Sequence, residues 1–320
     1  MTISVIGSGA FGTALAITWA QAGHDVQLWG RDAGAMETAQ QTRRTPRLPA
    51  ATLPANVACS GRLSTALQHE TLALALPAQA LRPFIEDHRA ALQGKTLIAC
   101  CKGIDLTTMT GPVSSMEKAL PEAHAAMLTG PSFAADIAKG LPTALTLAMK
   151  SDARAAKLQD QLSTQTLRIY RTADTLGAEL GGALKNVMAI ACGISIGAGL
   201  GDSARAALMT RGFSEMVTLA ERLGAERETL TGLSGFGDLV LTCTSTQSRN
   251  FRYGQALGAG QDFDSTTTVE GAATAKSVVK LAQTLALDLP ICTVVAHLID
   301  KKTDVTMAVN ALMARPLKEE

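Results

Sequence analysis

The sequence predicts an α/β domain built on a doubly wound, parallel sheet, followed by an all-α domain. Three observations carry that expectation. Short apolar runs alternate with helical stretches through the first half of the chain, the rhythm of βαβ units. The runs are continuous rather than strictly alternating, as strands buried on both faces are. After about Gly177 the strand signal fades, and Ala- and Gly-rich helical segments take over.

The strand-like runs are, in order, "TISVIG" (Thr2–Gly7), "DVQLWG" (Asp25–Gly30), "TLALALP" (Thr71–Pro77), "TLIACCKG" (Thr96–Gly103), "AAMLTGP" (Ala125–Pro131), "TALTLAM" (Thr143–Met149) and "LRIYRT" (Leu167–Thr172). The basic, Pro-rich segment Gln40–Pro54 reads as a surface loop. In the second half, "GLSGFGD" (Gly232–Asp238) and "LGAGQD" (Leu257–Asp262) read as breaks between helices. The expected division is a dinucleotide-binding domain over residues 1–178 and a helical substrate domain over 179–320, joined near Thr175–Leu180.

A chain of 320 residues with a net charge of +1 has no electrostatic basis for holding nucleic acid or an anionic membrane. Cys59, Cys100, Cys101, Cys192, Cys243 and Cys292 form no CxxC pair and no zinc-type cluster, so no metal site is expected. They read as reduced, mostly buried thiols of a cytoplasmic protein. The N-terminus lacks the basic segment and apolar core of a signal peptide. Leu180–Gly201 is strongly apolar, but its run after Asn186 is shorter than the roughly 20 residues a spanning helix needs. A buried helix is expected there.

"ISVIGSGAFGTALAITWAQAG" opens with a strand, turns at Gly7-Ser8-Gly9-Ala10-Phe11-Gly12, and continues as a helix. In that context a GxGxxG turn is the fingerprint of a Rossmann-type dinucleotide site. Gly7 allows the tight turn, Gly9 lets backbone amides approach a pyrophosphate, and Gly12 lets helix and strand pack closely. The pyrophosphate would sit on the helix N-terminus. The second strand-like run ends Trp29-Gly30-Arg31-Asp32. Arg31 would pair with a 2′-phosphate, which favours NADP(H); Asp32, turned inward, would serve NAD(H); the bland alternative is a solvated surface arginine.

Lys185 is the one charged residue of Leu180–Gly201. Ionised lysine is costly to bury without a partner, and desolvation lowers its pKa toward the range useful for proton exchange. Asp238 is a candidate carboxylate that would oppose the shift. Asn186 is placed to orient the lysine or a substrate hydroxyl. The bland alternatives are a lysine that snorkels to the surface or one that only binds an anion. His24, His69, His88, His124 and His297 lie in no polar or Gly-rich cluster. "LTCTSTQSRNFRYG" gathers hydroxyls beside Arg249, Asn250 and Arg252, a set that suits phosphate or a plain surface loop. Lys102 and the "TGPSF" segment each follow a strand-like run, where ligands of open sheets gather.

Several blocks, in order over nearly the whole chain, resemble the bacterial NAD(P)-dependent glycerol-3-phosphate dehydrogenases: "GSGAFGTALA", "CKGI", "LTGPSFA", "GGALKNVMAI", "GLGDSARAALMTRGFSEM", "GLSGFGDLVLTCTSTQSRNFRYG" and "VEGAATAKSV". The resemblance implies interconversion of sn-glycerol 3-phosphate and dihydroxyacetone phosphate with NADP(H) or NAD(H), supplying glycerol 3-phosphate for phospholipid synthesis. It implies that Lys185 exchanges the proton. Lys102, Gly130, Ser132, Asp238, Ser248, Arg249 and Asn250 would hold the substrate. Ala10, Phe11, Arg31, Lys102, Ala134, Arg249 and Glu270 would contact the cofactor, with Gly7, Gly9 and Gly12 shaping its turn. A homodimer is the family expectation. Phe11 stands where the family often has Trp, and Gln40–Pro54 lacks the family's usual Asn and Tyr. Two other classes fit parts of the pattern: a β-hydroxyacid or 6-phosphogluconate-type dehydrogenase, and a non-catalytic NADP(H)-binding regulator.

Overall fold

The computed structural model describes residues 1–265 and 267–314. The chain forms two compact units, Met1–Asp105 with Thr110–Glu179, and Leu106–Met109 with Leu180–Glu320. The division falls after Glu179, one residue beyond the expected boundary, and the short segment Leu106–Met109 goes with the second unit.

The first unit is an eight-stranded sheet in the order β3-β2-β1-β4-β5-β6-β7-β8. The strands are β1 Thr2–Ile6, β2 Asp25–Trp29, β3 Val57–Ser60, β4 Thr71–Leu74, β5 Thr96–Ala99, β6 His124–Thr129, β7 Thr143–Ala148 and β8 Leu167–Thr172. Alternate residues feed opposite layers: Ile3, Val5, Ala73 and Ile98 join a core cluster with Leu15 and Trp19. Ile6, Leu72, Leu74 and Leu97 join another with Met116 and Leu120. Helices cover both faces, so both sets of side chains are apolar and the strands read as unbroken hydrophobic runs.

Two features differ from the sequence expectation. β3 is additional: "VACS" has little β-propensity of its own and is held by its parallel register with β2, Val26 beside Val57. And β6 and β7 are antiparallel. Their connection contains only the five-residue helix Ala134–Ala138. That helix is roughly 7 Å long, too short to travel back along a strand of roughly 20 Å, so the chain re-enters the sheet from the edge it left.

The second unit contains no strand among its described residues. Its centre is the helix Thr175–Gly197, buried throughout Leu180–Ser195. The helix is 23 residues long, so length does not distinguish it from a membrane span; 89 % of its apolar window is buried inside the protein. Gly193 and Gly197 on this helix face Gly254 and Gly258 on the helix Arg249–Gly258. A Cβ on Gly193 would overlap the Phe251 carbonyl oxygen, and one on Gly254 the Ile190 carbonyl oxygen. These i, i+4 glycines bring the two backbones together as no larger residue would. The expected break at Gly232–Asp238 is instead a π-helical turn, Leu233–Gly237, that runs straight into the helix Asp238–Thr244. All six cysteines are free thiols, with Cys59 half-buried and the others buried.

Candidate active site

At the end of β1 the chain turns through Gly7, whose φ of +120° lies where only glycine is at ease. A Cβ on Gly7 would overlap the Ala75 carbonyl oxygen, and one on Gly12 the Gly7 carbonyl oxygen. Gly9 differs, with nothing within 4 Å of the place its Cβ would take. It stands at the N-terminus of the helix Ala10–Gln21, which no side chain caps. An open approach, exposed amides and the positive end of a 12-residue helix fit a pyrophosphate. Ala10, Phe11 and Ala134 all pack against the core cluster beneath this turn.

Beyond β2, Arg31 is exposed. The Asp32 carboxylate accepts the Ala35 amide at 3.0 Å and caps the helix Ala33–Thr42. Asp32 is therefore engaged in helix capping, while Arg31 faces solvent. The Gln40–Pro54 segment is more ordered than a surface loop: its first residues finish that helix, and Thr45, Leu48 and Leu53 are buried. Arg43 ties it down through the carbonyls of Leu53, Pro54 and Val57.

Past β5, Lys102 donates through Nζ to the Gly130 carbonyl at 3.0 Å, and the Ser132 hydroxyl donates to the same oxygen at 3.4 Å. Gly130 has a φ of +135°, which swings "GPSF" away from the end of β6. Lys102, Gly130 and Ser132 thus form one group in the first unit.

In the second unit Lys185 is 6 % exposed and Asp238 1 %. Lys185 Nζ donates to Asp238 Oδ1 at 2.9 Å and to Thr242 Oγ1 at 2.6 Å. Thr242 in turn donates its hydroxyl proton to Asp238 Oδ1 at 3.2 Å. Lys185 neither snorkels nor stands alone. Asn186, expected to orient a substrate hydroxyl or the lysine, accepts from Asn250 Nδ2 at 2.9 Å. Thr242 holds the lysine, a partner the sequence expectation did not include. The signal was there: Asp238 and Thr242 are four apart on one helix, hence on one face.

Asn250 also accepts the Gly271 amide at 2.9 Å. It links the lysine-bearing helix, its own helix and the start of the helix Glu270–Thr284. Ser248 caps its helix by accepting the Phe251 amide at 3.2 Å, which sets exposed Arg249 in the first turn. Glu270 is half-buried at the first position of its helix. Among the histidines, His69 bonds Ser4 and His24 bonds the Gln161 carbonyl.

A dinucleotide turn on a doubly wound sheet, together with a buried lysine held by a carboxylate and a hydroxyl, defines a dehydrogenase that works with a nicotinamide dinucleotide. Family models for the N-terminus and C-terminus of NAD-dependent glycerol-3-phosphate dehydrogenase match residues 2–155 and 174–310. The chain is 56 % identical over 323 residues to a glycerol-3-phosphate dehydrogenase [NAD(P)+] of Roseobacter denitrificans, covering all of both chains. It is 55 % identical to the protein of that name in Paracoccus denitrificans, again over all of both. A solved structure, the glycerol-3-phosphate dehydrogenase of Coxiella burnetii, superposes with a TM-score of 0.92 at 34 % identity, covering 98 % of this chain and 99 % of that one. The chain belongs to the NAD(P)-dependent glycerol-3-phosphate dehydrogenase family.

Proposed function

We propose that the chain interconverts sn-glycerol 3-phosphate and dihydroxyacetone phosphate, with Lys185 as the group that exchanges the proton at the C2 oxygen. The observation that carries this reading is the pair of acceptors on Lys185, Asp238 Oδ1 and Thr242 Oγ1. A neutral amine keeps two N–H bonds and an ammonium has three. Asp238 Oδ1 and Thr242 Oγ1 accept N–H bonds of either form, so they orient the nitrogen in both protonation states. The proton by which the ammonium exceeds the amine is the one to pass to the substrate oxygen in the reducing direction and to be recovered in the other.

The nicotinamide, when bound, supplies or accepts the hydride. Gly7, Gly9 and Gly12 with Ala10 and Phe11 hold its pyrophosphate, and Arg31 selects the 2′-phosphate of NADP(H) over NAD(H). Ala134 and Glu270 add contacts to the cofactor. Ser248, Arg249 and Asn250 take the substrate phosphate, Arg249 also reaching the cofactor, while Lys102, Gly130, Ser132 and Asp238 line the rest of the substrate. The phosphate lies away from the reacting carbon, so its binding energy positions C2. A cytoplasmic homodimer that supplies glycerol 3-phosphate for phospholipid synthesis is the setting that fits this chemistry and the free thiols.

The test is loss of NADPH absorbance on adding dihydroxyacetone phosphate, beside turnover of 3-hydroxyacids. Turnover of hydroxyacids at a comparable kcat/KM would overturn the substrate assignment, and NADPH binding without any turnover would make the chain a regulator.

A further inference from the structure

We propose that the first unit carries a second anion site, at the amino-terminal edge of its sheet, built to take a small phosphomonoester. β1, β4 and β5 start there side by side, with Ile3 beside Thr71 and Thr71 beside Thr96. β7 runs against β6 and so ends at the same edge. Met149 and the helix Asp152–Leu162 follow at once. On that helix Arg154, Lys157, Leu158 and Gln161 stand at i, i+3, i+4 and i+7 and share one face. That face, with His69, Thr71 and Thr96, lines a cavity of about 450 Å³, within the size range of small-molecule sites.

The cavity is built for negative charge. Arg154 and Lys157 have no carboxylate within 4 Å among the described residues, and Glu70 is the acid in the wall. His69 adds an imidazole ring whose orientation is fixed. Buried Ser4 Oγ lies 2.7 Å from the Ala66 carbonyl and 2.7 Å from His69 Nδ1. A carbonyl can only accept, so the one hydroxyl proton goes to Ala66, and His69 Nδ1–H donates to Ser4. That leaves Nε2 as the acceptor of the ring, suited to the P–OH of a monoprotonated phosphate. Lys95 Nζ, 2.9 Å from the His69 carbonyl, holds the backbone.

Arg154 and Lys157 outnumber Glu70, the one carboxylate of the wall. A phosphomonoester brings about −1.5 to −2 charge and three acceptor oxygens. The remaining volume takes a few hydroxyl-bearing carbons against Thr71, Thr96 and Gln161. The glycine turn lies past the opposite end of β1, a strand of five residues or roughly 16 Å, so the two anion sites are distinct.

The test follows the His69 ring by NMR in the full chain, its resonance assigned with His69→Gln. Inorganic phosphate and glycerol 2-phosphate, added at constant pH, should each produce a saturable rise in the chemical-shift perturbation of the ring, in the wild type and in Arg249→Gln alike. Arg154→Ala/Lys157→Ala should abolish the rise while keeping NADPH-dependent turnover. Both side chains are exposed, and Arg154→Gln alone, halving the cationic wall, should weaken the response severalfold. No rise in the wild type, a rise that persists in the double variant, or an equal response to acetate would each overturn the proposal.

Discussion

Lys185 and Asp238 meet 2.9 Å apart between two helices of the second unit, with both side chains out of water. Each charge makes the other tolerable in the interior, and breaking such a pair from one side costs about 3–5 kcal/mol. Lys185→Met should therefore do two things. It should lower kcat by about 10²–10⁴-fold, the usual contribution of a general acid–base group, and it should lower the unfolding midpoint by leaving the buried Asp238 carboxylate without the lysine's charge. Adding Asp238→Asn should recover much of the stability and none of the turnover. A Lys185→Met protein with near wild-type kcat would remove the lysine from the mechanism.

Thr242 shares the same nitrogen, accepting from Lys185 at 2.6 Å. Thr242→Val keeps the shape and removes the acceptor. A hydrogen bond to a charged group is worth about 1.5–3 kcal/mol, so kcat should fall by about tenfold or more. KM for dihydroxyacetone phosphate should change little, because the hydroxyl orients the lysine and leaves the phosphate contacts intact. Thr242→Ser should restore most of the rate. A loss that appears in KM alone would place Thr242 on the substrate instead.

Much of this arrangement is legible in the sequence where the backbone itself is constrained. The Gly7–Gly12 turn can be read because a strand, a turn and a helix each leave a local signature there. Lys185 stands out because charge is rare in a buried helix. The misses share a cause: their partners are distant in the chain. β3 is a strand only because β2 pairs with it. Glu179 and Glu215 are buried carboxylates that accept backbone amides at the starts of two Pro-led helices. Glu179 reaches Val113 and Ser114, and Glu215 reaches Ile291 and Cys292. With partners 66 and 76 residues away, neither follows any capping spacing. Asn186 finds its partner far along the chain as well: it accepts from Asn250, 64 residues on.

Arg31 tests cofactor choice. On the proposed reading the exposed Arg31 guanidinium binds the 2′-phosphate, while Asp32 caps its helix. Arg31→Ala should weaken NADPH about 10- to 150-fold, the equivalent of a charged hydrogen bond, and leave NADH within a few-fold. Kd measurements for both cofactors check this; equal losses would show that Arg31 does not read that phosphate.

Glu179 makes stability depend on pH. Burial pushes its carboxyl up from an ordinary 4.5 to about 7, while the Val113 and Ser114 amides pull it down. Between those values the folded protein holds a proton that the unfolded chain has released. The contribution to stability is therefore fully present below about pH 4.5 and is lost as pH rises through 7. Glu179→Gln keeps an acceptor for the amides and cannot ionise. The wild type should lose stability relative to this variant from pH 5 to pH 8, by about 3 kcal/mol at most. Urea midpoints at the two pH values measure it, and parallel pH dependences would show that the carboxylate is satisfied in its charged form.

Arg249 tests what the substrate is. Ser248 caps the helix and sets Arg249 at its first position, exposed, where guanidinium and helix N-terminus both favour a phosphate. Arg249→Gln keeps most of the length and loses the charge and the planar fork. It should cut kcat/KM for dihydroxyacetone phosphate by about two decades, the equivalent of roughly 1.5–3 kcal/mol. Dihydroxyacetone has no phosphate, so its turnover is poor from the start and should fall much less. Because Arg249 also reaches the cofactor in this scheme, some loss for both is expected, and the ratio of the two losses is the quantity to measure. If both activities fall by the same factor, Arg249 serves the cofactor or the fold. The phosphate contact then belongs to Lys102, Ser132 or Asn250, of which Asn250 is already committed to Asn186 and Gly271.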